Sequence, residues 1–226
     1  MKLFYSFLLI FSLLSLTSCI EIIDDISLKN DGSGTLKYTI NLSSSKVKIN
    51  SILALDSLDG KKVPSIPEME ERIVSFKKKL SAKTGISNVT IESDFTNYIF
   101  KLQCDFTSVI ALQNALKDVI EEESKEKNIP ELDHNWLSWD GTKMTRSIPE
   151  ITVKKTKEIK SEDIELMKQG NYTSITRFER PVEKFDNSAA VLSKNKMAVM
   201  IKTNPYALTQ NSNILENSIY LTPIKN

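Results

Sequence analysis

The sequence predicts an α+β fold, in which antiparallel β-hairpins form a sheet and three to four helices pack on one face. Three observations point there. Apolar residues alternate with period two on either side of short turn signals, as half-buried strands require. Other stretches repeat their apolar residues every three to four positions, as amphipathic helices do. Glycine (6) and proline (7) are scarce among 226 residues, which argues against disorder and against a loop-built chain. Hairpins and helices interspersed in this way fit helices layered on an antiparallel sheet.

Residues 20 to 42 form the first predicted hairpin. Ile20, Ile22, Ile26 and Leu28 share one parity, as do Leu36, Tyr38, Ile40 and Leu42. Between them Asn30-Asp31-Gly32-Ser33-Gly34 supplies residues that tolerate tight reversal. Ser43 is placed to cap a short helix carrying Val47, Ile52, Leu53 and Leu55, with Asp59-Gly60 beyond its end. Ser65-Ile66-Pro67-Glu68 then has capping-box spacing. The helix it opens carries Met69, Ile73, Phe76 and Leu80 on one stripe, and Gly85 reads as its C′ glycine.

A second hairpin joins Val89 and Ile91 to Tyr98, Phe100, Leu102, Cys104 and Phe106 through a turn at Asp94 to Asn97. A helix from about Thr107 to Ser124 follows, with Val109, Leu112, Leu116, Val119 and Ile120 on one side. Lys125 to Asp133, with Pro130, is the place where a subdomain boundary would fall. A third hairpin turns at Asp140-Gly141, so that Trp139 pairs with Thr142 and shares a face with Leu137 and Met144. Ser161 stands to cap a short helix ending at Gly170. Strands at Asn171 to Phe178, Ala189 to Leu192, Met197 to Thr203 and Leu215 to Leu221 close the chain.

The first residues have the layout of a secretory leader. Lys2 gives a short positive region, and Leu3 to Leu16 is almost unbroken apolar sequence. At about 14 residues it is shorter than the roughly 20 a spanning helix needs. The run ends in Leu16-Thr17-Ser18-Cys19, which resembles the lipobox of bacterial lipoproteins: an aliphatic residue, two small residues, then cysteine. The resemblance implies a diacylglyceryl group on the Cys19 thiol, palmitate included, and cleavage just before Cys19. Two or more acyl chains anchor stably where one binds reversibly. On this reading residues 1–18 are the signal peptide and 19–226 a single α+β mature domain. Ile20 after the cysteine implies the outer membrane, because aspartate there retains such lipoproteins at the inner one. Glu21, Asp24 and Asp25 resemble surface-export signals, so the periplasmic and the outer face both stay open.

The mature part also resembles a group of envelope lipoproteins to which no activity is attached. Ile20 to Leu42 looks like their opening strand and turn, and Arg177-Phe178-Glu179-Arg180-Pro181-Val182 like a segment near their last strands.

Composition narrows the partners. Without Lys2 the chain has 29 basic and 29 acidic residues, so it lacks the basic footprint of a nucleic-acid binder. Lipidation of Cys19 leaves Cys104 without an internal partner, and the apolar parity of its strand makes it a small core residue. One histidine and one free thiol do not build a zinc site, and Asp31-Gly-Ser-Gly lacks the ligand spacing of an EF-hand. No metal or cofactor is expected. His134, the single histidine, has no nucleophile-elbow serine to serve. Glu121, Glu122 and Glu123 are consecutive on a helix and point apart. Of Trp136, Trp139 and Tyr172, aromatic residues suited to a ligand surface, Trp136 is the one expected to be exposed and to touch a ligand or partner.

These observations favour a non-enzymatic, lipid-anchored envelope domain that binds a protein or lipid partner, or has an assembly role, near the membrane. The alternative is an envelope hydrolase built on dispersed carboxylates. Apolar alternation starts at once after Cys19, so residues 20 to 24 are the only slack expected, and Asp24 is read as marking where pairing begins.

Overall fold

The computed structural model describes residues 20–148, 150, 152, 154 and 164–223. Cys19, the leader and Ser161 lie outside them. Among the described residues no helix is long and apolar enough to cross a membrane.

The class is α+β, as predicted, but the layers differ from one sheet backed by helices. Strands β1 (Glu21–Leu28) and β2 (Gly34–Asn41) form the first hairpin, in the register the alternation requires, with Leu28 opposite Gly34. Strands β5 (Ile86–Asp94) and β6 (Ile99–Phe106) form the next, and β6 pairs with β2. On its other edge β1 pairs in parallel with β9 (Asn171–Phe178), which continues through β12 (Ala198–Thr203) to β11 (Ala190–Leu192). The result is a seven-stranded mixed sheet, ordered β11-β12-β9-β1-β2-β6-β5. The β1–β9 pair joins residues about 150 positions apart, and no turn in the sequence announces it.

A second sheet, β10-β13-β8-β7, uses β7 (Leu137–Trp139), β8 (Lys143–Arg146), β10 (Val182–Phe185) and β13 (Asn217–Leu221). β10 was not foreseen, because Glu183 and Lys184 break its apolar pattern. Trp139 pairs with Met144, not Thr142. Asp140 draws the turn one residue onward: its Oδ1 accepts from the backbone N–H groups of Thr142 and Lys143 at 2.9 and 2.7 Å. A two-stranded ribbon, β3 (Ser57–Leu58) with β4 (Lys61–Lys62), places Asp59-Gly60 in its turn.

Helix α1 (Lys46–Leu53) follows a 3-10 turn at Ser43–Ser45, so Ser43 is not its cap, and Ser45 makes no capping bond either. The capping box at Ser65 is present: Ser65 N–H donates to Glu68 at 2.8 Å and the Glu68 N–H donates back at 3.4 Å. It opens α2 (Ile66–Ser81), which ends at Ala82. Gly85 therefore lies beyond the C′ position. It is glycine because a Cβ there, at φ +80°, would come within 2.6 Å of Thr107 Oγ1 and 2.7 Å of Ala111 Cβ. Helix α3 (Val109–Ser124) is capped by Ser108, and α4 (Ile164–Lys168) and α5 (Pro205–Gln210) lie by the start of β9. Gly170 after α4 leaves room for Pro205 of α5, which a Cβ would meet at 2.9 Å.

One face of the seven-stranded sheet thus carries two different covers. Helices α2 and α3 lie over the β5–β6 half, bringing Leu80, Leu112 and Val119 into the core with Cys104 and Phe106. The second sheet lies over the β9–β12 half, where Arg146, Asn217 and Ile219 meet Ser174, Thr176, Val199 and Ile201. Ile129 and Leu132, from the connection after α3, are buried in the same core.

Candidate functional site

The junction of these two covers leaves a cavity of about 330 Å³ above the middle of the sheet. Its floor comes from β1, β2 and β6 through Asp24, Ile26, Leu36, Tyr38 and Leu102. Phe76 of α2 and Leu112, Leu116 and Ile120 of α3 form one wall. Trp136, Leu137 and Arg146 from the second sheet form another, and Tyr172 and Leu215 stand at the β9 side.

The floor follows from strand parity. Residues 24, 26 and 28 share a face, and Asp24 lies between Tyr38 on β2 and Ser174 on β9, with Leu102 beyond Tyr38. The apolar parity therefore continues through a carboxylate, and a charge in such a place needs a partner. Arg146 supplies it. This guanidinium is buried, at 6% exposure. It donates to Asp24 Oδ2 through one terminal nitrogen, and through the other to the Ile175 carbonyl and Thr176 Oγ1, both at 3.1 Å. Tyr172 adds its hydroxyl to the same Asp24 oxygen at 3.2 Å.

Two phenols flank this ion pair. Burial, and then the charge of Asp24, push Tyr38 up to about 12. The same two causes, in the same order, hold Tyr172 well above its ordinary value. Both are hydrogen-bond donors throughout the physiological range. The cavity accordingly has one polar end, made of Asp24, Arg146, Tyr38 and Tyr172, and walls that are otherwise almost wholly apolar.

Trp136 is not on the surface. It is 6% exposed, with its ring in the cavity wall and Lys117 Nζ 5.5 Å from the ring centroid. Gln113 of α3, fully buried, fixes it there: its Oε1 accepts from the N–H groups of Trp136 and Leu137 at 2.8 and 3.0 Å. Of the three aromatics the sequence offered, Trp136 and Tyr172 line this cavity and Trp139 does not, and Trp136, the one expected to touch a ligand, does so from a buried position. Arg146, Tyr38 and Gln113 escaped notice. The available signal was Asp24, a charge on an inward parity, which pairing begun at Glu21 on both edges shows is no strand boundary. Slack before the sheet is thus shorter than residues 20 to 24.

The remaining candidates stand apart from the cavity. Cys104 is wholly buried and burial pushes its thiol up to about 11. His134 packs edge-on against Trp136, with 5.8 Å between centroids, and its Nε2 is buried without a hydrogen-bond partner. Glu122 and Glu123 pair with Lys83 and Lys79 at the outer surface of α2 and α3. Among the described residues no three His, Cys, Asp or Glu side chains are grouped to hold a metal ion.

The two segments that resemble envelope lipoproteins meet at the other end of β1. Glu179 accepts from the Asn30 N–H at 3.0 Å, and Arg177 pairs with Asp25 at 2.9 Å. Trp139 stacks on Phe178 with 6.4 Å between centroids, and Arg180 lies 5.8 Å from the Trp139 ring centroid. Gly32 passes so close that a Cβ would lie 2.9 Å from Trp139 Cδ1.

Comparison with protein families and with curated proteins finds no match. Among solved structures the chain is similar to the NMR structure of the folded domain of LppM from Mycobacterium tuberculosis, with 12% identity, 92% of each chain covered and a TM-score of 0.42. That is a distant likeness in overall arrangement.

Proposed function

We propose that this chain is a lipid-anchored envelope protein whose domain takes the acyl part of a membrane lipid into the cavity between its sheets and helices. The observation that carries the reading is the cavity itself: about 330 Å³, apolar but for one end. Ligand sites run from roughly 300 to 1,000 Å³ and combine apolar walls with a few placed polar groups. An apolar cavity of about 150 Å³ already takes up benzene. Each methylene moved from water into such walls contributes ~0.8 kcal/mol, so a medium-length acyl chain has enough to gain.

Binding is the role this lining supports better than catalysis. Asp24 is the acid among the described lining residues, and it is occupied by Arg146 and Tyr172. A hydrolase of dispersed carboxylates needs a second acid converging on the same space. The anchor on Cys19 rests on the lipobox resemblance, and the outer membrane on Ile20 behind it. With lipid on Cys19, pairing that starts at Glu21 would hold the domain close to the bilayer, since two residues extend only about 7 Å.

A chain beginning at Ile20 retains every described strand, helix and core residue. Incubated with vesicles of extracted membrane lipid and re-isolated, this chain is expected to carry lipid detectable by native mass spectrometry. Leu116→Trp, which fills the cavity, should emerge empty with an unchanged circular dichroism spectrum. Equal loading of the two would overturn the assignment.

A further inference from the structure

We propose that the polar end of the cavity selects an uncharged lipid, an acyl ester or hydroxylated lipid, and rejects a free fatty-acid anion. This rests on the cavity being an acyl-chain site and adds the charge class of the ligand.

The argument is one of local charge. A buried arginine at the end of an apolar cavity is ordinarily a carboxylate or phosphate receptor. Here that capacity is already used. Asp24 Oδ2 takes the Arg146 guanidinium, and the second terminal nitrogen of Arg146 is turned away onto the Ile175 carbonyl and Thr176 Oγ1. The pair sums to zero charge. A carboxylate entering this end would lose its hydration beside Asp24 and find no unpaired cation to offset that loss.

What the end can offer is neutral. Tyr38 and Tyr172 remain protonated at physiological pH, and Tyr38 faces the cavity between Asp24 and Leu102 on adjacent strands. A phenol O–H donates to an ester carbonyl or a lipid hydroxyl, and neither brings a charge. Shape does not discriminate here: laurate and its glycerol monoester share the same chain, and the apolar walls treat both alike. The difference between them is confined to the head, where Asp24 stands.

The test is direct titration of the chain from Ile20 with monolaurin and with laurate, at about pH 8, where a carboxylic acid is ionised. Monolaurin is expected to bind at least about tenfold more tightly than laurate. Asp24→Asn keeps the shape, removes the charge and frees Arg146, so laurate affinity should rise at least about tenfold while that of monolaurin changes little. Tyr38→Phe should weaken monolaurin and leave laurate as it was. Equal affinity for the two lipids in the native chain, or laurate the tighter, would overturn the charge selection while leaving the acyl site intact. So would an unchanged ratio in Asp24→Asn. Binding of neither lipid would overturn the cavity assignment and this inference with it. Should Asp24→Asn fail to fold, the native ratio and Tyr38→Phe decide.

Discussion

The domain buries two arginines, near opposite ends of the same central strands, in contrasting surroundings. Arg180 is 8% exposed and gives its terminal nitrogens to backbone carbonyls, Thr222 at 3.1 Å and Gly141. Its guanidinium lies by Trp139, which stacks on Phe178, and Gly32 closes over Trp139. Among the described residues its partners are carbonyls and not carboxylates, and Trp139, Phe178 and Gly32 pack together at that end of the sheet. Arg146 is equally buried but is paired with a carboxylate, beside two phenols, at the edge of open space. The contrast separates two uses of one side chain. Arg180 ties the 140s turn to the residue after β13 through backbone carbonyls, and its buried Nε is left without a hydrogen-bond partner. Arg146 brings an ion pair into the interior, which a well-packed apolar group would replace at no loss of stability. Its place at the cavity's edge, beside Tyr38 and Tyr172, fits a role in the cavity instead.

The largest expected effect sharpens the difference between the filled end and the open one. Leu28 and Leu112 are both leucines, 2% and 1% exposed, but only Leu112 borders the cavity. Leu28→Ala should cost about 4–5 kcal/mol, toward the top of the range for leucine truncation, since its neighbours are packed on all sides. Leu112→Ala should cost only about 2–3 kcal/mol, because its side chain already lacks partner atoms on one side. Urea unfolding of the two variants makes the comparison. Equal costs would mean that the cavity closes up in solution.

The arginines themselves come next. Arg146→Met strands the Asp24 carboxylate, whose side chain is 17% exposed, and should cost about 3 kcal/mol, at the low end for a broken buried pair. Adding Asp24→Leu should restore most of that. Arg180→Met strands only carbonyls and keeps an apolar stem beside Trp139, for a cost of about 1–2 kcal/mol, with nothing for a second substitution to rescue. Rescue of the first and not the second, by thermal unfolding, is the pattern expected.

Local signals in the sequence reached a long way. The first hairpin, the capping box at Ser65, the stripe of α3 and the strand at Asn171 to Phe178 each stand where alternation and turn residues put them, since each is set by neighbours within a few positions. What escaped is non-local. The parallel seam of β1 with β9 has no connecting turn, so nothing between Leu28 and Asn171 encodes it. The division of one sheet face between helices and a second sheet depends on that seam. The cavity in turn depends on the division, so its lining could not be assembled from Trp136 alone. Asp24 was the exception: a charge on an inward parity was visible, but its partner Arg146 lies 122 positions away, beyond Met144, where the sequence ends the third hairpin.

The smallest effect concerns the helical wall. Lys83, just after α2, reaches across to α3, pairing with Glu122 at 2.5 Å and Asp118 at 3.3 Å, and Lys79 meets Glu123 at 2.6 Å. The hydrogen bond Lys83 donates to Glu122, and then that to Asp118, raise it above its ordinary value, while partial burial opposes them. These pairs sit at the protein surface, where such links contribute little to overall stability and are screened by salt. Yet they join the two helices whose Phe76, Leu112, Leu116 and Ile120 wall the cavity. Loosening them should leave unfolding almost unchanged and act on ligand exchange. Lys83→Met is expected to speed release of a fluorescent acyl probe by about two- to fivefold, the scale of a surface pair, with affinity nearly constant because entry quickens too. Raising ionic strength should accelerate release from the native chain and have little further effect on Lys83→Met. An acceleration by salt that is as large in the variant as in the native chain would show that these pairs do not hold the wall, and would shift attention to the sheet side, where Arg146 and Tyr172 stand.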